Sequence, residues 1–211
     1  MFHDGIDFSP AHRGDLGEVL RMTSREFKYC FCPYDGLQLE RPSGHADGVW
    51  AKCPQCGFVD YPNPKPCIGV IIEHAGRILL ARRGEEPKRG MYDIPGGFVE
   101  NGETVEAAVA REITEETSLQ LVPAPAGASE PLRPGEFRYF ASFPDEYGPH
   151  RTATVNLMFI AQAETDRFQA GSDVAELQWH SVDAVPTDLA FVHQQIAMQR
   201  FLGLYQGRAD M

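Results

Sequence analysis

Glu112, Glu115 and Glu116 fall inside the stretch Thr104–Thr117, which carries Ala107, Ala108 and Ala110 and neither glycine nor proline. That composition predicts a helix. On a helix the three glutamates stand at i, i+3 and i+4 and share one face. Like charges so placed repel by roughly a few tenths of a kcal/mol per pair. They also lie toward the helix C-terminus, where the backbone dipole disfavours anions. A helix with only a structural task gains nothing from them. A hard divalent cation that prefers oxygen ligands, Mg²⁺ or Mn²⁺, would relieve the repulsion. Arg111 can offset part of the charge by pairing with Glu103 or Glu115. The glycines before the helix, Gly97 among them, would let a backbone carbonyl reach the same ion.

A second constellation is built on sulfur. The chain has five cysteines, four of them between Cys30 and Cys56. An odd, clustered set reads as a metal site rather than a disulfide framework. Cys53-Pro-Gln-Cys56-Gly57 is a knuckle, two thiolates on a tight turn. The matching half is Cys32-Pro-Tyr-Asp35-Gly36, with Asp35 where a second cysteine would stand. The 17 residues between Asp35 and Cys53 suit a ribbon-type zinc site. The expected ion is a structural Zn²⁺ held by Cys32, Cys53, Cys56 and a fourth ligand: Asp35, Cys30 or the more distant His45. Cys67 opens an apolar run and reads as a buried, inert thiol.

These groups need elements to position them. Residues 1–29 are polar, with a short helix expected around Leu16–Phe27. Residues 30–62 hold too little apolar material to fold without a staple. The Tyr61-Pro-Asn-Pro-Lys-Pro66 linker favours extended backbone. Residues 63–211 read as one mixed α/β domain. Cys67–Ile72 and Arg77–Ala81 are strands joined by a turn at His74-Ala-Gly76. Asp93–Val99 is short and extended. Val122–Pro134 reads as a loop, and Glu136–Phe143, Thr152–Ala161 and Leu177–His180 as strands. Leu189–Leu204 reads as a terminal helix.

Composition narrows the function. The chain has 211 residues, 43% hydrophobic and 23% charged, with a net charge of −11. This excludes a disordered chain or a coiled-coil rod. No apolar run approaches the ~20 residues of a membrane span, and Met1–Pro10 lacks the apolar core of a signal peptide, so a cytoplasmic protein is expected. The acidic balance argues against broad nucleic-acid binding but not against a phosphate-bearing small molecule, which divalent cations can bridge to an acidic site. Arg82 and Arg83, with Lys88 and Arg89, could steer a phosphate. Tyr92, Phe98, Tyr139 and Tyr147 could stack on a base. His150, His180 and His193 show no ligand spacing with one another.

The run Gly97, Glu103, Arg111-Glu112, Ile113, Thr114, Glu115-Glu116, Thr117, Ser118, Leu119 resembles the Nudix box, the signature of Nudix hydrolases. Every charged position matches. Ser118 stands where the family has glycine, at a left-handed helix end, at a cost of about 1 kcal/mol unless the turn takes another shape. The resemblance implies a Nudix fold, a mixed sheet between helices. It implies hydrolysis of a nucleoside diphosphate linked to another group, with release of a nucleoside monophosphate, assisted by Mg²⁺ or Mn²⁺. It further implies Glu112 and Glu116 as core ligands joined by Glu115, with Arg111 in support. Asp173 and Glu176, before Trp179, resemble an acid-bearing loop of NADH pyrophosphatases and are candidates for a further ligand or the base. Glu146, in the loop Phe143–Tyr147, is a third candidate for the base. A ribbon ahead of the box also resembles the zinc-ribbon branch of the family, which points to a homodimer. That branch carries Ser-Gln-Pro-Trp-Pro-Phe-Pro after the box. This chain has Ala141-Ser-Phe-Pro-Asp-Glu-Tyr147 instead, so ADP-ribose or another nucleotide derivative stands beside NADH as the expected substrate. An inactive, ligand-sensing Nudix domain is the alternative, and the intact glutamates favour catalysis. An RNA-binding ribbon ranks lower, because residues 30–62 hold Arg41, Lys52 and few other bases.

Overall fold

A computed structural model describes residues 29–40, 51–61, 63–127, 131–171 and 174–209, without the side chains of 206–209. The helix expected over Leu16–Phe27, His45 and Asp173 lie outside the described residues. The chain divides into two compact units, Met1–Pro64 and Lys65–Met211.

The first unit contains a two-stranded antiparallel sheet of β1 (Ala51–Lys52) and β2 (Val59–Asp60). Among its described residues the buried apolar side chains are Cys32, Leu39, Ala51 and Cys53, with Phe58 packed against them. Four small or medium side chains bury too little apolar surface to hold such a segment unaided.

The second unit is a seven-stranded mixed sheet with a helix on each face. The strands are β3 (Lys65–His74), β4 (Arg77–Arg83), β5 (Tyr92–Asp93), β6 (Val122–Pro123), β7 (Glu136–Tyr147), β8 (Thr152–Gln162) and β9 (Val174–Ser181). Their order is β5-β4-β3-β8-β7-β6, with β9 also paired to β4. β3 runs parallel to β8, and β6 to β7. The helices are α1 (Val105–Thr117) and α2 (Val192–Ala209). Strand alternation sorts the apolar residues onto two faces. Ile68, Val70, Ile72 and Leu79 meet Ala108, Val109 and Ile113 of α1. Ile71, Ile78, Leu80 and Met158 meet Ala197, Met198 and Phe201 of α2. Central strands covered on both faces read as unbroken apolar runs, as β3 does.

Two features of this sheet make room for a site. The β3–β4 turn is tight, with Ala75 and Gly76 both at positive φ, which suits a two-residue hairpin. Past it the two strands pair only over Ile72–His74 and Arg77–Leu79 and then separate. The segment Pro95–Val99 follows β3 instead. Val70 N–H donates to Pro95 O at 2.9 Å, Ile68 N–H to Gly97 O at 2.8 Å and Val99 N–H to Pro66 O at 3.1 Å.

The structure corrects several sequence expectations. Val122–Pro134 is not all loop, because Val122–Pro123 adds to the outer edge of β7. Phe143–Tyr147 is not a loop. It continues β7, so Glu146 sits on a strand. Pro144 is tolerated there because β6 covers only Glu136 and Phe137 of the edge of β7 that faces away from β8, leaving the rest of that edge without a partner strand among the described residues. The terminal helix begins at Val192 and runs to Ala209. No helix of the described residues is long and apolar enough to cross a membrane.

Helix α1 starts at Thr104, whose side chain accepts from Ala107 N–H at 3.2 Å, a normal N-cap. It ends at Ser118, which takes the left-handed conformation (φ 62°, ψ 8°), its N–H donating to Thr114 O. A side chain in that conformation costs about 1–2 kcal/mol. Glycine there would be unstrained but would gain entropy on unfolding, returning about 0.4–1 kcal/mol. Ser118→Gly is therefore expected to stabilise the protein modestly, by up to about 1 kcal/mol, seen as a higher urea midpoint with an unchanged slope. A lower midpoint would show that the Ser118 Oγ contact to Gln169 O, at 3.4 Å, outweighs the strain.

Candidate active site and metal centre

The carboxylates of α1 meet the glycine segment at contact distance. A Cβ at Gly97 would stand 2.3 Å from Glu112 Oε1, and one at Gly96 would stand 2.2 Å from Ile68 O. Gly96, at φ 151° and against backbone, cannot carry a side chain, and one at Gly97 would push the Glu112 carboxylate away. Gly96 N–H donates to Glu116 Oε2 at 2.9 Å. Glu115 behaves differently. Successive helical residues turn by about 100°, so Glu115 and Glu116 flank Glu112 on opposite sides, about 60° and 40° away. Glu112 is 15% exposed and Glu115 61%. The shared face expected from the spacing is thus split, with Glu116 turned to the glycines and Glu115 to solvent.

Arg111 holds this end of the site together. Its Nε and Nη2 donate to the two oxygens of Glu103 at 2.8 and 2.9 Å, a bidentate pair. Nη1 reaches Glu112 at 2.9 Å and Glu115 at 3.3 Å. Nη2 also donates to Phe98 O at 3.1 Å. The pairing anticipated with Glu103 or Glu115 occurs with both. Hydrogen bonds from Arg111 first, and from Glu100 N–H, hold the Glu103 carboxyl below its ordinary range.

Glu112 and Glu116 line a cavity of about 330 Å³ at the splay of β3 and β4. The Gly97 carbonyl is already an acceptor for Ile68 N–H and keeps its second lone pair. Glu100, Phe98 and the Cys67 thiol share the cavity wall, and burial pushes that thiol up to about 12, so it is inert as expected. Tyr147 lines it too, edge-on to the Phe98 ring at 5.3 Å. Glu146 lines the cavity from β7 and pairs with Arg151. Arg83 turns inward: it pairs with Asp93, and its Nε donates to Pro87 O at 2.6 Å. Arg82 lies over the Tyr92 ring at 4.2 Å and pairs with Glu176 at 3.4 Å. Glu176 does not line the cavity.

Sequence reasoning missed the opposite wall. Asp145, Thr154, Asn156, His193 and Gln194 all line the cavity. His193 Nδ1 and Asp145 Oδ2 are 2.6 Å apart. Burial alone would raise the Asp145 carboxyl, but the imidazole and the N–H groups of Glu146 and His193 hold it below its usual range. A signal for this wall existed on β8, where Thr154 and Asn156 interrupt the apolar positions that face inward at Met158 and Ile160.

In the first unit, one ligand atom each from Cys32, Asp35, Cys53 and Cys56 lies within 4.8 Å of all the others. Cys32 Sγ and Cys56 Sγ are 3.5 Å apart, and Cys53 Sγ donates to Asp35 Oδ2 at 3.1 Å. The two knuckles repeat one geometry: Cys32 N–H bonds Leu37 O at 2.7 Å, Cys53 N–H bonds Phe58 O at 2.8 Å, and Gly36 and Gly57 both take positive φ. Asp35 occupies the corner of the second cysteine. Leu37 N–H, with Cys53 behind it, draws its carboxyl down to about 2. Cys30 is exposed and outside the cluster. Three thiols and a carboxylate in this arrangement suit a four-coordinate divalent ion.

A carboxylate helix backed by glycines, opening on a polar cavity, offers oxygen donors of the kind a hard divalent cation takes. The NUDIX domain model matches residues 63–199, and the chain belongs to the Nudix family. It is 35% identical over 136 residues to the ADP-ribose pyrophosphatase of Methanocaldococcus jannaschii, covering 64% of this chain and 72% of that protein. It is 31% identical over 157 residues to the NAD-capped RNA hydrolase NudC of Vibrio atlanticus, covering 74% of this chain and 51% of that one. The chain spans about half the length of the NudC relatives it matches. A solved NUDIX hydrolase from Nitrosomonas europaea shares the fold with a TM-score of 0.62 at 26% identity, covering 83% of this chain and 91% of that one.

The Glu103–Arg111 pair makes stability depend on pH. The folded carboxyl titrates below the unfolded value of about 4.3. Its contribution is therefore complete above that value and is lost as pH falls through the lower, folded one. Glu103→Gln should lower the urea midpoint at pH 6 to 7, and the gap to the parent protein should close in acid, below about pH 4. A gap that persists unchanged at pH 3 would show that the pair stabilises by packing rather than by charge.

Proposed function

We propose that this Nudix pyrophosphatase hydrolyses the diphosphate of a nucleoside diphosphate joined to a second group, ADP-ribose foremost, and releases a nucleoside monophosphate. The observation that carries the reading is the convergence of Glu112 and Glu116 on the side-chain-free Gly96–Gly97 backbone at the wall of one cavity. The donor set is all oxygen and suits a hard cation. Glu112, Glu116, Glu115 and the Gly97 carbonyl are the groups that would hold Mg²⁺ or Mn²⁺. Such an ion supplies charge neutralisation for the diphosphate and a bound water of lowered pKa.

The residues divide the remaining tasks. Arg111 pairs with Glu112 and aims it. Glu146 is the best-placed later acid for the base, since it lines the cavity from β7 and Glu176 does not. Phe98 and Tyr147 offer ring faces to a base. Arg83, tied to Asp93, braces the cavity wall rather than reaching for phosphate. The relative of 35% identity called ADP-ribose pyrophosphatase supports this substrate class. The relatives called NAD-capped RNA hydrolase favour a second substrate, NAD-capped RNA. The acidic net charge weighs against that one. In the first unit Cys32, Asp35, Cys53 and Cys56 would hold a structural Zn²⁺, and the organisation is a ribbon module over 30–62 ahead of a catalytic domain over 63–211.

Purified protein with Mg²⁺ or Mn²⁺ should release AMP from ADP-ribose in a panel that includes NADH, NAD, diadenosine polyphosphates, CoA and NAD-capped RNA. Glu116→Gln should lower kcat by about 100-fold or more, since such an ion contributes several kcal/mol and each decade is 1.36 kcal/mol. No turnover with tight binding of one panel member would support a sensor instead. Elemental analysis should find zinc in the parent protein and lose it in Cys32→Ser and Cys53→Ser. Retention in both would sink the ribbon assignment.

A further inference from the structure

Among the described residues seven polar or charged side chains are buried, and five of them, Asp93, Thr154, Asn156, His193 and Gln194, line the one cavity. Burying polar groups is costly unless they are paired, so this concentration marks a built wall. Most of it is internally satisfied. Asp93 is bonded by Arg83 and Gln194. Gln194 Oε1 accepts from Ile94 N–H at 3.4 Å, and Asn156 donates to Thr154 Oγ1 at 3.0 Å and Phe143 O at 3.4 Å.

His193 is the exception. It is 8% exposed. Asp145 takes its Nδ1, and its backbone N–H also points at that carboxylate, at 3.3 Å. An ionised carboxylate only accepts hydrogen bonds, so Nδ1 carries a proton, and in the singly protonated ring Nε2 is a bare acceptor. No described residue hydrogen-bonds Nε2. The sealed, unpartnered side-chain atoms of the described residues are Asp60 Oδ2 and His180 Nε2. His193 Nε2 is therefore open to solvent, and the residue is one of those that line the cavity. The ring is stacked on Phe191 at 5.8 Å, and Phe191 in turn neighbours Tyr147.

A bare acceptor repels phosphate oxygens and attracts a donor. In a nucleoside diphosphate derivative the donors nearest the diphosphate are ribose hydroxyls, and the neighbouring rings suit the base. We propose that His193, oriented by Asp145, is a specificity-determining residue that accepts a hydrogen bond from a ribose hydroxyl of the substrate. The proposal rests on the diphosphatase reading above and names what the second wall of that same site recognises.

The test is a cycle between protein and ligand deletions. ADP-ribose and its analogues lacking one of the 2′, 3′, 2″ or 3″ hydroxyls are assayed with the parent enzyme, His193→Phe, His193→Gln and Asp145→Ala. A site built to bond a hydroxyl rejects the analogue lacking it. One analogue should lose about 10-fold or more in kcat/KM with the parent. His193→Phe should lose a similar factor on ADP-ribose and treat that analogue as the parent does, which also shows that the variant folds. His193→Gln, which keeps an acceptor, should recover part of the discrimination, and Asp145→Ala should lose part of it. Equal analogue ratios in the parent and His193→Phe would overturn the proposal. So would a uniform loss in His193→Phe across all analogues that shrinks with rising pH, the mark of an imidazolium on phosphate in the parent. If the parent cleaves none of the compounds, the diphosphatase reading fails separately. The same cycle is then read from Kd values in EDTA, where equal ratios overturn the His193 assignment and unequal ones uphold it.

Discussion

Arg111 is the point of balance for the catalytic domain. One guanidinium reaches Glu103, Glu112 and Glu115 and the Phe98 carbonyl. Those bonds tie three separate pieces of chain together: the helix, the loop that precedes it and the glycine segment along β3. Glu103 carries the link further by accepting from Glu100 N–H at 3.0 Å. A planar fork with several fixed donors can do this, and a lysine ammonium cannot. Arg111 offsets the charge of Glu112 where it stands against Gly97, a partly desolvated place in which charge is costly. The close approach of helix to backbone, and with it the shape of the cavity, depends on that cation.

The cavity has two chemically different walls. One is anionic, exact in its backbone approach, and built on α1 and the glycines. The other is hydrogen-bonding, with the Asp145 carboxylate paired to His193, and is built from β7, β8 and the start of α2. The C-terminal end of α1 is itself secured by the chain: Gly171 N–H and Gln169 N–H satisfy the carbonyls of Glu116 and Thr117 at 3.0 Å, groups a helix end otherwise leaves open. Gly171 is required there because a Cβ would stand 2.3 Å from Glu115 O. The carboxylate end of the helix is thus held by backbone bonds, not by a favourable dipole.

The first unit solves a different problem. Its described residues bury little apolar surface, and Cys32, Asp35, Cys53 and Cys56 converge on one point. Replacing the fourth thiol by Asp35 keeps the charge and the turn while changing sulfur for oxygen. Each knuckle aims its first thiol by the same backbone bond, from Cys32 N–H to Leu37 O and from Cys53 N–H to Phe58 O.

The amino-acid sequence alone determined the elements whose information is local. The helix of Thr104–Thr117, the hairpin at Ala75-Gly76, the paired knuckles and the box of glutamates are all written in short-range spacing, composition and turn chemistry. Gly97 and Glu112 were legible as partners only through the box, because their separation in sequence says nothing about their contact. Tertiary structure decided the rest. It split Glu115 from Glu112 and Glu116, made strand of Phe143–Tyr147 and turned Arg83 inward. It also joined Asp145 to His193, 48 residues apart. The physical reason is common to all of these. Spacing along one chain fixes which side chains share a face, but burial, strand pairing and charge balance across distant segments settle which face looks into the cavity.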